Sequence, residues 1–545
     1  MEKRILILGA GVMQGPAIRF AKERSWETVV VDGDPNAACV ALADRFEHID
    51  LKDKEAIEAF ARSLNAAGGL HGVMTAGTDF SATVAWVAEK LSLPGIPYEV
   101  ALDASDKARM RARFRAEGVP SPDFIIVTTV PDAGYSLPFA YPAVVKPVDN
   151  MGSRGCRRVD GFDDLRIAVT DALRYSRSGR VIVEEFMEGP EFSVDSLVCN
   201  GIVTICGLAD RHIFFSPYFI EMGHTIPTNL SADKATELLA VFEKGVRALG
   251  IRDGAAKGDI KLTPKGPMIG EIAARLSGGY MSGWTYPYAS GVEPTKGALS
   301  IAVGEKPTDL EATRTWTCAE RAFISIPGIV AEVFGVDAAR RAEGVNDLFL
   351  RVGSGSLVKF PENNVTKCGN VIASAPTRAD AVRFAETAAR SVLIRLRPVC
   401  PETDKFLAIG PIGTSVFPPD SFSLPAGVRM DSVPEGNADN LPLRGLSSAD
   451  LSRLRIVSFP DFQSSSSRDY VGRTVFETLD LVRRLVCATL PIVELSDMKS
   501  VDMKSVVGEG DALILGRRFW KAVVRGGYQG GAYFIDSLFR RNSEK

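Results

Sequence analysis

The sequence is poor in the residues that build histidine-rich or disulfide-bonded sites. It has four histidines in 545 residues, and its eight cysteines are scattered without a CxxC pair. A zinc site and a disulfide framework are therefore not expected, and a reducing cytoplasm fits this use of cysteine. The formal net charge is only −3, which argues against a general nucleic-acid or anionic-membrane binder.

Long apolar runs are also missing. The start, MEKRILILGAGV, has an apolar stretch that is too short to span a membrane and lacks a signal-peptide cleavage pattern. Hydrophobic residues make up 46% and charged residues 24% of the chain, the mixture of an ordinary soluble globular protein. Its length predicts about three or four domains.

The N-terminal segment reads as a βαβ unit. The apolar run RILILG precedes Gly9, Gly11 and Gly15, a helical stretch follows, and a second apolar strand ends on Asp32 and Asp34. A dinucleotide fingerprint has the spacing GxGxxG, whereas the spacing here is GxGxxxG, which moves the third glycine away from its helix-packing role. A Rossmann-like domain whose glycine turn touches a substrate or supports its neighbour is the favoured interpretation over NAD or FAD binding.

The stretch DIKLTPKGPMIGEIAARLSGGYMSG, residues 259–283, carries the strongest chemical signal. Asp259 and Glu271 lie near the facing ends of two predicted strands joined by the turn TPKGP. Two carboxylates can hold a hard cation such as Mg²⁺, which prefers oxygen ligands and arrives with phosphates. Arg275 follows four residues after Glu271, and a guanidinium there can stabilise the charge of a moving phosphoryl group.

A second candidate site surrounds Lys146. This lysine ends the apolar strand YPAVVKP, and a flexible loop follows it. Glycine and serine let backbone N–H groups point at phosphate oxygens, and the lysine adds a point charge. The Walker A pattern GxxxxGK[ST] is absent, but the combination of lysine and loop favours phosphate binding. The loop residues are Gly152, Ser153, Arg154 and Gly155.

Acidic groups punctuate the next strands. Glu184 and Glu185 close one predicted strand and Glu191 opens another, where they suit an adenine amino group and ribose hydroxyls rather than phosphate. The alternative is a set of exposed hairpin carboxylates. Glu221 and His224 follow amid aromatic residues and are candidate amine contacts or acid–base groups, although a lone histidine is often structural.

The helical segment SDKARMRARFRAEG precedes both sites. Lys107 and Arg111 are four residues apart and share one helix face. Taken alone, this spacing favours a solvated basic face.

Four motifs in this order resemble the ATP-grasp superfamily of carboxylate–amine ligases. They are DK-x₃-R at 106–111, VVKP with its loop at 144–155, EEFMEGPE at 184–191, and D-x-K with E-I-x-A-R at 259–275. YFIEMGHTIP together with EIAARLSGG is most similar to the branch that makes dipeptides, the L-amino acid ligases.

The resemblance implies a role for each motif residue. Lys107 and Lys146 would contact the phosphates of ATP beneath the loop 152–155, with Glu184 and Glu185 at the adenine edge and Glu191 on the ribose. Asp259 and Glu271 would bind Mg²⁺ (or Mn²⁺), and Arg275 the transferring phosphate. Glu221 and His224 would face the amino-acid pocket.

Three positions depart from the family pattern. Ala273 stands where many members have an asparagine that ligates a second Mg²⁺. Lys257 stands where histidine is frequent, and Asp259 where glutamate is usual. These departures leave open whether one or two metal ions bind and which acceptor is used.

The resemblance implies an α/β fold: a Rossmann-like pre-grasp domain, an ATP-grasp fold of two α+β subdomains, a β-rich C-terminal lid domain and an extra α/β C-terminal unit. We place these at residues 1–100, 101–312, 313–404 and 446–545. A linker rich in proline, glycine and serine is predicted over 405–445. The last unit matches no motif, and a docking or homodimer role is its simplest interpretation; DMKSV occurs twice within 497–506.

The predicted function is an ATP- and Mg²⁺-dependent, ADP-forming ligase. It would join a small-molecule carboxylate, such as an amino acid, to an amine through an acyl phosphate, without nucleic acid or membrane as partner. The alternatives are a purine-pathway or bicarbonate-using ATP-grasp enzyme and a non-catalytic ATP-binding module. A dehydrogenase interpretation depends on the N-terminal glycines binding NAD.

Overall fold

The computed structural model describes residues 3–308, 310–408, 417–486, 492–493 and 512–539. The chain divides into two compact units, residues 1–320 with 372–385, and residues 321–371 with 386–545. None of the helices in the described ranges combines the length and apolarity needed to cross a bilayer. The repeated DMKSV segment lies outside the described residues.

A four-stranded parallel sheet opens the first unit, as the apolar runs predict. Its order is β3-β2-β1-β4, and the apolar side chains of β1 are completely buried because helices cover both faces of a parallel sheet. The elements are β1 (Arg4–Leu8), α1 (Gly15–Glu23), β2 (Glu27–Asp32), β3 (Arg45–His48), α2 (Lys54–Ala66), β4 (Gly72–Met74), α3 (Ser81–Lys90), α4 (Tyr98–Ser105) and α5 (Lys107–Ala116).

The N-terminal glycine turn is filled by the protein itself. Gln14 accepts a hydrogen bond from the Gly11 amide at 2.9 Å and donates to the Ala76 carbonyl. Asp32, which would meet a ribose in a dinucleotide fold, accepts from the Ala10 amide at 2.7 Å. The arrangement favours the supporting role for this turn. The loop after β4 pairs instead with the stretch after Arg275, through a bridge between Ala76 and Leu276.

A second, antiparallel four-stranded sheet carries the lysine and its loop. The strand order is β5-β8-β6-β7, and Ala143, Val145 and Val183 bury one face against α6. The elements are β5 (Phe124–Val127), β6 (Ala143–Pro147), β7 (Arg157–Val159), α6 (Phe162–Tyr175) and β8 (Val181–Glu185).

The large antiparallel sheet supplies most of the remaining site residues. Within the first unit it runs β13-β12-β9-β10-β11 and continues through β14 and β18. One face of this sheet packs on α7, which ends at Gly250 in the left-handed conformation (φ 83°). The elements are β9 (Glu191–Cys199), β10 (Ile202–Phe214), β11 (Ile220–Ile226), α7 (Ala232–Leu249), β12 (Gly254–Thr263), β13 (Gly266–Ala273), α8 (Tyr286–Ser290), α9 (Pro294–Ala302) and β14 (Thr317–Phe323).

The second unit contains two three-stranded sheets, β17-β15-β19 and the parallel β21-β20-β22. The segment Leu393–Leu396 is a strand that pairs with Gly328–Phe334. The elements from here to the end of the chain are β15 (Gly328–Phe334), α10 (Val336–Arg340), β16 (Val345–Leu350), β17 (Leu357–Val358), β18 (Gly369–Ala375), α11 (Arg378–Ser391), β19 (Leu393–Leu396), α12 (Pro401–Ala408), β20 (Leu454–Val457), α13 (Pro460–Gln463), α14 (Val475–Val486), β21 (Ile492–Val493), β22 (Leu513–Leu515) and α15 (Arg517–Leu538).

The stretch expected to be a linker is packed where the structure describes it. Residues 409–416 lie outside the described ranges, but Phe422, Met430, Val433 and Ala438 belong to the hydrophobic core of the second unit. Proline and glycine interrupt helices and strands without preventing an extended chain from burying its apolar side chains. Composition therefore misjudged this segment.

Candidate ATP and carboxylate site

The hairpin of β12 and β13 places the two predicted metal carboxylates side by side. Asp259 and Glu271 are register partners across the antiparallel pair, and the ladder has a bulge directly after Asp259. The predicted turn closes the hairpin, where the Thr263 hydroxyl donates to the Gly266 carbonyl at 2.8 Å. Opposed residues of an antiparallel pair project to the same face, so both carboxylates share one side of the sheet.

The start of α5 brings Lys107 to this hairpin. Asp106 caps the helix by accepting from the Ala108 amide at 2.9 Å. Lys107 Nζ then lies 3.2 Å from Glu271 Oε1 and donates to the Asn150 carbonyl at 2.9 Å. Lys107 is buried, so the face it shares with Arg111 is not the solvated basic face that its spacing alone favours.

Arg111, one turn later, completes a second buried group. Its Nε lies 2.9 Å from Glu184 Oε1, and Lys146 Nζ lies 2.6 Å from Glu184 Oε2. Burial would raise the pKa of Glu184, but Arg111 and Lys146 outweigh it and lower that pKa. Glu184 is therefore an ionised carboxylate that orients Lys146.

Arg211 connects three of the predicted acidic residues. Its guanidinium lies 2.5 Å from Glu191 Oε1, 2.5 Å from Glu221 Oε2 and 2.7 Å from Asp259 Oδ1. Burial acts to lower the pKa of Arg211, and the three carboxylates together raise it well above its usual range. Lys257 also pairs with Asp259.

His224 is completely buried beside Glu221. Its Nδ1 lies 3.2 Å from Glu320 Oε2 and 3.8 Å from Glu221 Oε1, and its Nε2 lies 3.0 Å from the Thr285 hydroxyl. Burial acts to lower the pKa of His224, but Glu221 and Glu320 raise it. Of the two predicted pocket residues, Glu221 is the partly exposed one.

The turn after Arg275 is held by hydrogen bonds to a buried carboxylate of β9. Asp195 accepts from the Ser277 amide at 3.1 Å and from the Ser277 hydroxyl. Gly279 adopts a left-handed conformation (φ 64°), and a Cβ there would lie 3.5 Å from Glu221 Oε1. The glycine therefore permits the turn and lets the chain pass close to Glu221.

The predicted phosphate loop has the conformation that small residues allow. Gly152, Ser153 and Gly155 all have positive φ angles, between 59° and 69°. A Cβ on Gly155 would meet the Tyr175 ring at 2.9 Å. Arg154 bonds locally, donating from Nε to the Met151 carbonyl at 3.1 Å.

Glu185 differs from its neighbour in the predicted adenine pair. Its side chain pairs with the exposed Lys265 at 2.7 Å. Successive side chains of a strand point to opposite faces, so Glu185 faces away from the buried Glu184. Only one of these two carboxylates lies with Lys146.

Several site residues carry no local sequence signal. These residues meet their partners only where segments distant in sequence come together in the folded chain; they are Arg211, Asp195, Asp79 and Glu320. Asp79, in the loop after β4, pairs with Arg177 at 3.3 Å. Burial raises its pKa, which nearby Lys107 and Arg275 act to lower.

Of the two hairpin carboxylates, Glu271 is the more exposed and could hold a divalent cation. Burial would raise the pKa of Glu271, but Lys107, Lys257, Lys146 and Arg275 reduce it to about 2, so this side chain is ionised at neutral pH. Ala273 contributes no oxygen. Among the residues that the structure describes, no group of three or more histidine, cysteine or acidic side chains converges on one metal position.

Comparison with known families agrees with this geometry. A family described as ATP-grasp domain matches residues 139–283, and one described as L-amino acid ligase C-terminal domain 2 matches residues 322–397. Both matches fall within the boundaries predicted for the grasp and lid domains.

Two curated relatives and one solved structure are similar to the chain. An uncharacterised protein, y4rH of Sinorhizobium fredii, is 26% identical over 67% of this chain and 77% of its own length. Carnosine synthase 1 of Gallus gallus is 26% identical over 52% of this chain, and the matched region is 33% of that relative's length. The crystal structure of L-amino acid ligase from Bacillus licheniformis has a TM-score of 0.65 at 21% identity, covering 72% of this chain and 99% of that one.

The structural likeness establishes the fold, and the family matches cover the residues that hold Lys146, Glu184, Asp259, Glu271 and Arg275. The chain therefore carries a segment, residues 139–283, that is similar to the ATP-grasp domain, followed by one, residues 322–397, that is similar to the L-amino acid ligase C-terminal domain 2.

Proposed function

We propose that the protein is an ATP-dependent ligase that joins a carboxylate, an amino acid, to an amine. The observation that carries the proposal is the contact of Lys107 with Glu271 at 3.2 Å, in a site where Lys257, Lys146 and Arg275 also act to lower the pKa of this carboxylate. Positive charge gathered around an acidic metal ligand suits a polyphosphate and its cation.

The nucleotide half of the site consists of Lys146, Lys107 and the loop 152–155. Lys146 is fixed by Glu184, which Arg111 holds from its other oxygen. This buried triad positions the lysine without neutralising the site, because two cations share one carboxylate. Glu191, at the start of β9, suits the ribose hydroxyls, and Arg211 fixes its orientation.

The proposed reaction has two steps. A carboxylate oxygen of the first substrate attacks the γ-phosphorus of ATP, and the bond between that phosphorus and the oxygen that bridges it to the β-phosphate breaks. ADP is the leaving group, and the substrate becomes an acyl phosphate. The amine nitrogen then attacks the acyl carbon, the carbon–oxygen bond to phosphate breaks, and the amide forms with loss of a proton. Enzymes of this kind act mainly through positioning and charge stabilisation.

Arg275 is the residue proposed to stabilise the moving phosphoryl group. It lies four residues after Glu271, just beyond the end of β13, and acts electrostatically on both Glu271 and Asp79. A divalent ion held by Glu271 would supply additional positive charge to the phosphate groups.

Glu221 is proposed to hold the ammonium group of the amino acid. Arg211 and His224 contact this carboxylate and orient it, and the turn at Gly279 passes close to it. His224, being fully buried, acts through Glu221 as a positioning residue.

An ADP-release assay tests the proposal. The full chain is incubated with Mg²⁺, ATP and pairs of amino acids, and products are identified by mass spectrometry. Amino-acid-dependent ADP release together with a dipeptide supports the proposal. Release that depends on bicarbonate instead would favour the carboxylating alternative, and ATP binding without turnover under either condition would favour a non-catalytic module.

A further inference from the structure

Asp259 is engaged by protein cations on both of its oxygens. Arg211 lies 2.7 Å from Oδ1, and Lys257 pairs with Oδ2. Lys257 and Asp259 are two residues apart on β12, so their side chains leave the strand on the same face. Both cations are at least 85% buried, so removing either of them would leave a charge on Asp259 uncompensated.

Arg211 is also committed to two other carboxylates. It holds Glu191 and Glu221 as well as Asp259. Moving the guanidinium aside to admit a metal ion at Asp259 would leave these two acids, whose side chains are 18% and 14% exposed, without their shared cation. Removing one partner of a buried ion pair is strongly destabilising because the other charge is left uncompensated. Arg211 is therefore a fixed part of the site.

Glu271 has a different environment. Lys107 meets it through one oxygen, Oε1, and its side chain is 34% exposed, against 16% for Asp259. Two residues further along β13, Ala273 offers a methyl group where an asparagine oxygen would complete a second metal site. The hairpin thus presents one accessible carboxylate and one that is already neutralised.

From these contacts we propose that the site binds one divalent ion per nucleotide, through Glu271, and that Arg211 and Lys257 supply at Asp259 the charge of a second ion. The proposal rests on the proposed ATP site. It identifies Arg211 and Lys257 as residues that determine the metal number, and it explains why Ala273 is compatible with a working site.

The test is a titration of the full chain with Mn²⁺ in the presence of a non-hydrolysable ATP analogue, with bound ion counted by electron paramagnetic resonance. We expect one Mn²⁺ per nucleotide complex. Two ions per complex in the unmodified protein would overturn the proposal. Nucleotide binding is measured separately by calorimetry, so that loss of the ATP site itself is recognised as a failure of the proposed function.

A pair of variants on one strand tests the cause. Lys257→Met frees one oxygen of Asp259, and we expect the count to rise from one to two. Lys261→Met is the matched control, because Lys261 lies on the same strand but 3.9 Å from Glu191 rather than at Asp259, and its count should stay at one. A count of one in both variants would overturn the role given to the cations, and so would a count of two in both.

Discussion

Buried ion pairs occur in both units of the protein, but they are organised differently. In the first unit, Arg211 is shared by three carboxylates and Glu184 by two cations, so each of these residues pairs with more than one opposite charge. In the second unit, Arg395 donates from Nε and Nη2 to the two carboxylate oxygens of Asp536, at 2.8 and 2.5 Å. Arg473 pairs with Asp469, four residues before it.

The difference separates a site from a scaffold. The pairs Arg395–Asp536 and Arg473–Asp469 each join one arginine to one carboxylate, and Arg473 also donates to the Arg390 carbonyl at 2.6 Å. The ion pairs of the first unit include two groups that are more exposed than their partners, namely Glu271, which pairs with Lys107, and Lys146, which pairs with Glu184. A buried charge alone indicates structure, whereas a buried network that ends at a partly exposed group indicates a place for a ligand.

The largest effect is expected from breaking a scaffold pair. Arg525 contacts Asp420 at 3.0 Å and the Pro418 carbonyl at 2.6 Å, and it lies over the Phe406 ring. Arg525→Met should lower the free energy of unfolding by about 3–5 kcal/mol, because Asp420 loses a buried partner. Calorimetry measures the loss.

Turnover per folded molecule, measured below the transition temperature, should stay unchanged in this variant. The exposed Arg429→Met is its control and should leave both quantities unaltered. A fall in turnover without a fall in stability would mean that the second unit takes part in catalysis.

Arg275→Ala should show the reverse pattern. Removing one donor to a developing charge typically reduces the rate by about 10²–10³, whereas the transition temperature should not change because this side chain is only partly buried. Steady-state ADP release and a thermal melt of the same sample check both expectations. Arg275→Lys, which keeps the charge but not the fork, should retain part of the rate. Full activity in Arg275→Ala would remove the basis for the proposed reaction.

Asp195→Asn should alter the pH dependence of stability. Burial raises the pKa of Asp195 to about 6, above the ordinary value of about 3.9. The folded state therefore binds this proton more tightly, and the resulting stability is complete below about pH 4 and lost as the pH rises through 6. A difference of about two pKa units corresponds to roughly 3 kcal/mol.

Asparagine resembles the protonated acid, so melts recorded between pH 4 and 7 should change less in the variant than in the parent chain. Ser277→Ala removes the hydroxyl partner but leaves the titrating group, and its melts should keep a decline over this range. An identical decline in Asp195→Asn would assign the pH dependence to other groups.

The sequence predicts those parts of the site that lie on continuous motifs. Asp259 and Glu271 are joined by a short hairpin, and Lys107 follows its helix cap directly, so local rules place each of them. Arg211 is 48 residues from Asp259 along the chain, and β9 lies between their strands in the sheet. A shift in register follows His212, and no spacing rule predicts such a shift.

Glu320 and the packed segment from Phe417 onward were missed for related reasons. Glu320 meets His224 across 96 residues of chain, a contact that only the completed sheet creates. Phe422 and Val433 are fully buried in the second unit, although the composition around them is typical of a linker. Motif chemistry is readable from sequence, but the partners that orient it depend on strand order and packing.

The smallest effect is expected at Glu185, next to the buried Glu184. Its side chain pairs with Lys265 on the exposed face of the strand, and exposed ion pairs contribute little. Glu185→Gln should therefore change the KM for ATP by less than about twofold, a limit that follows from the weakness of such pairs. Lys265→Met, the other half of the pair, should behave in the same way. A large rise in the KM for ATP in Glu185→Gln alone would return this carboxylate to the adenine edge, and it would require the strand to turn its outer face toward the nucleotide when ATP binds.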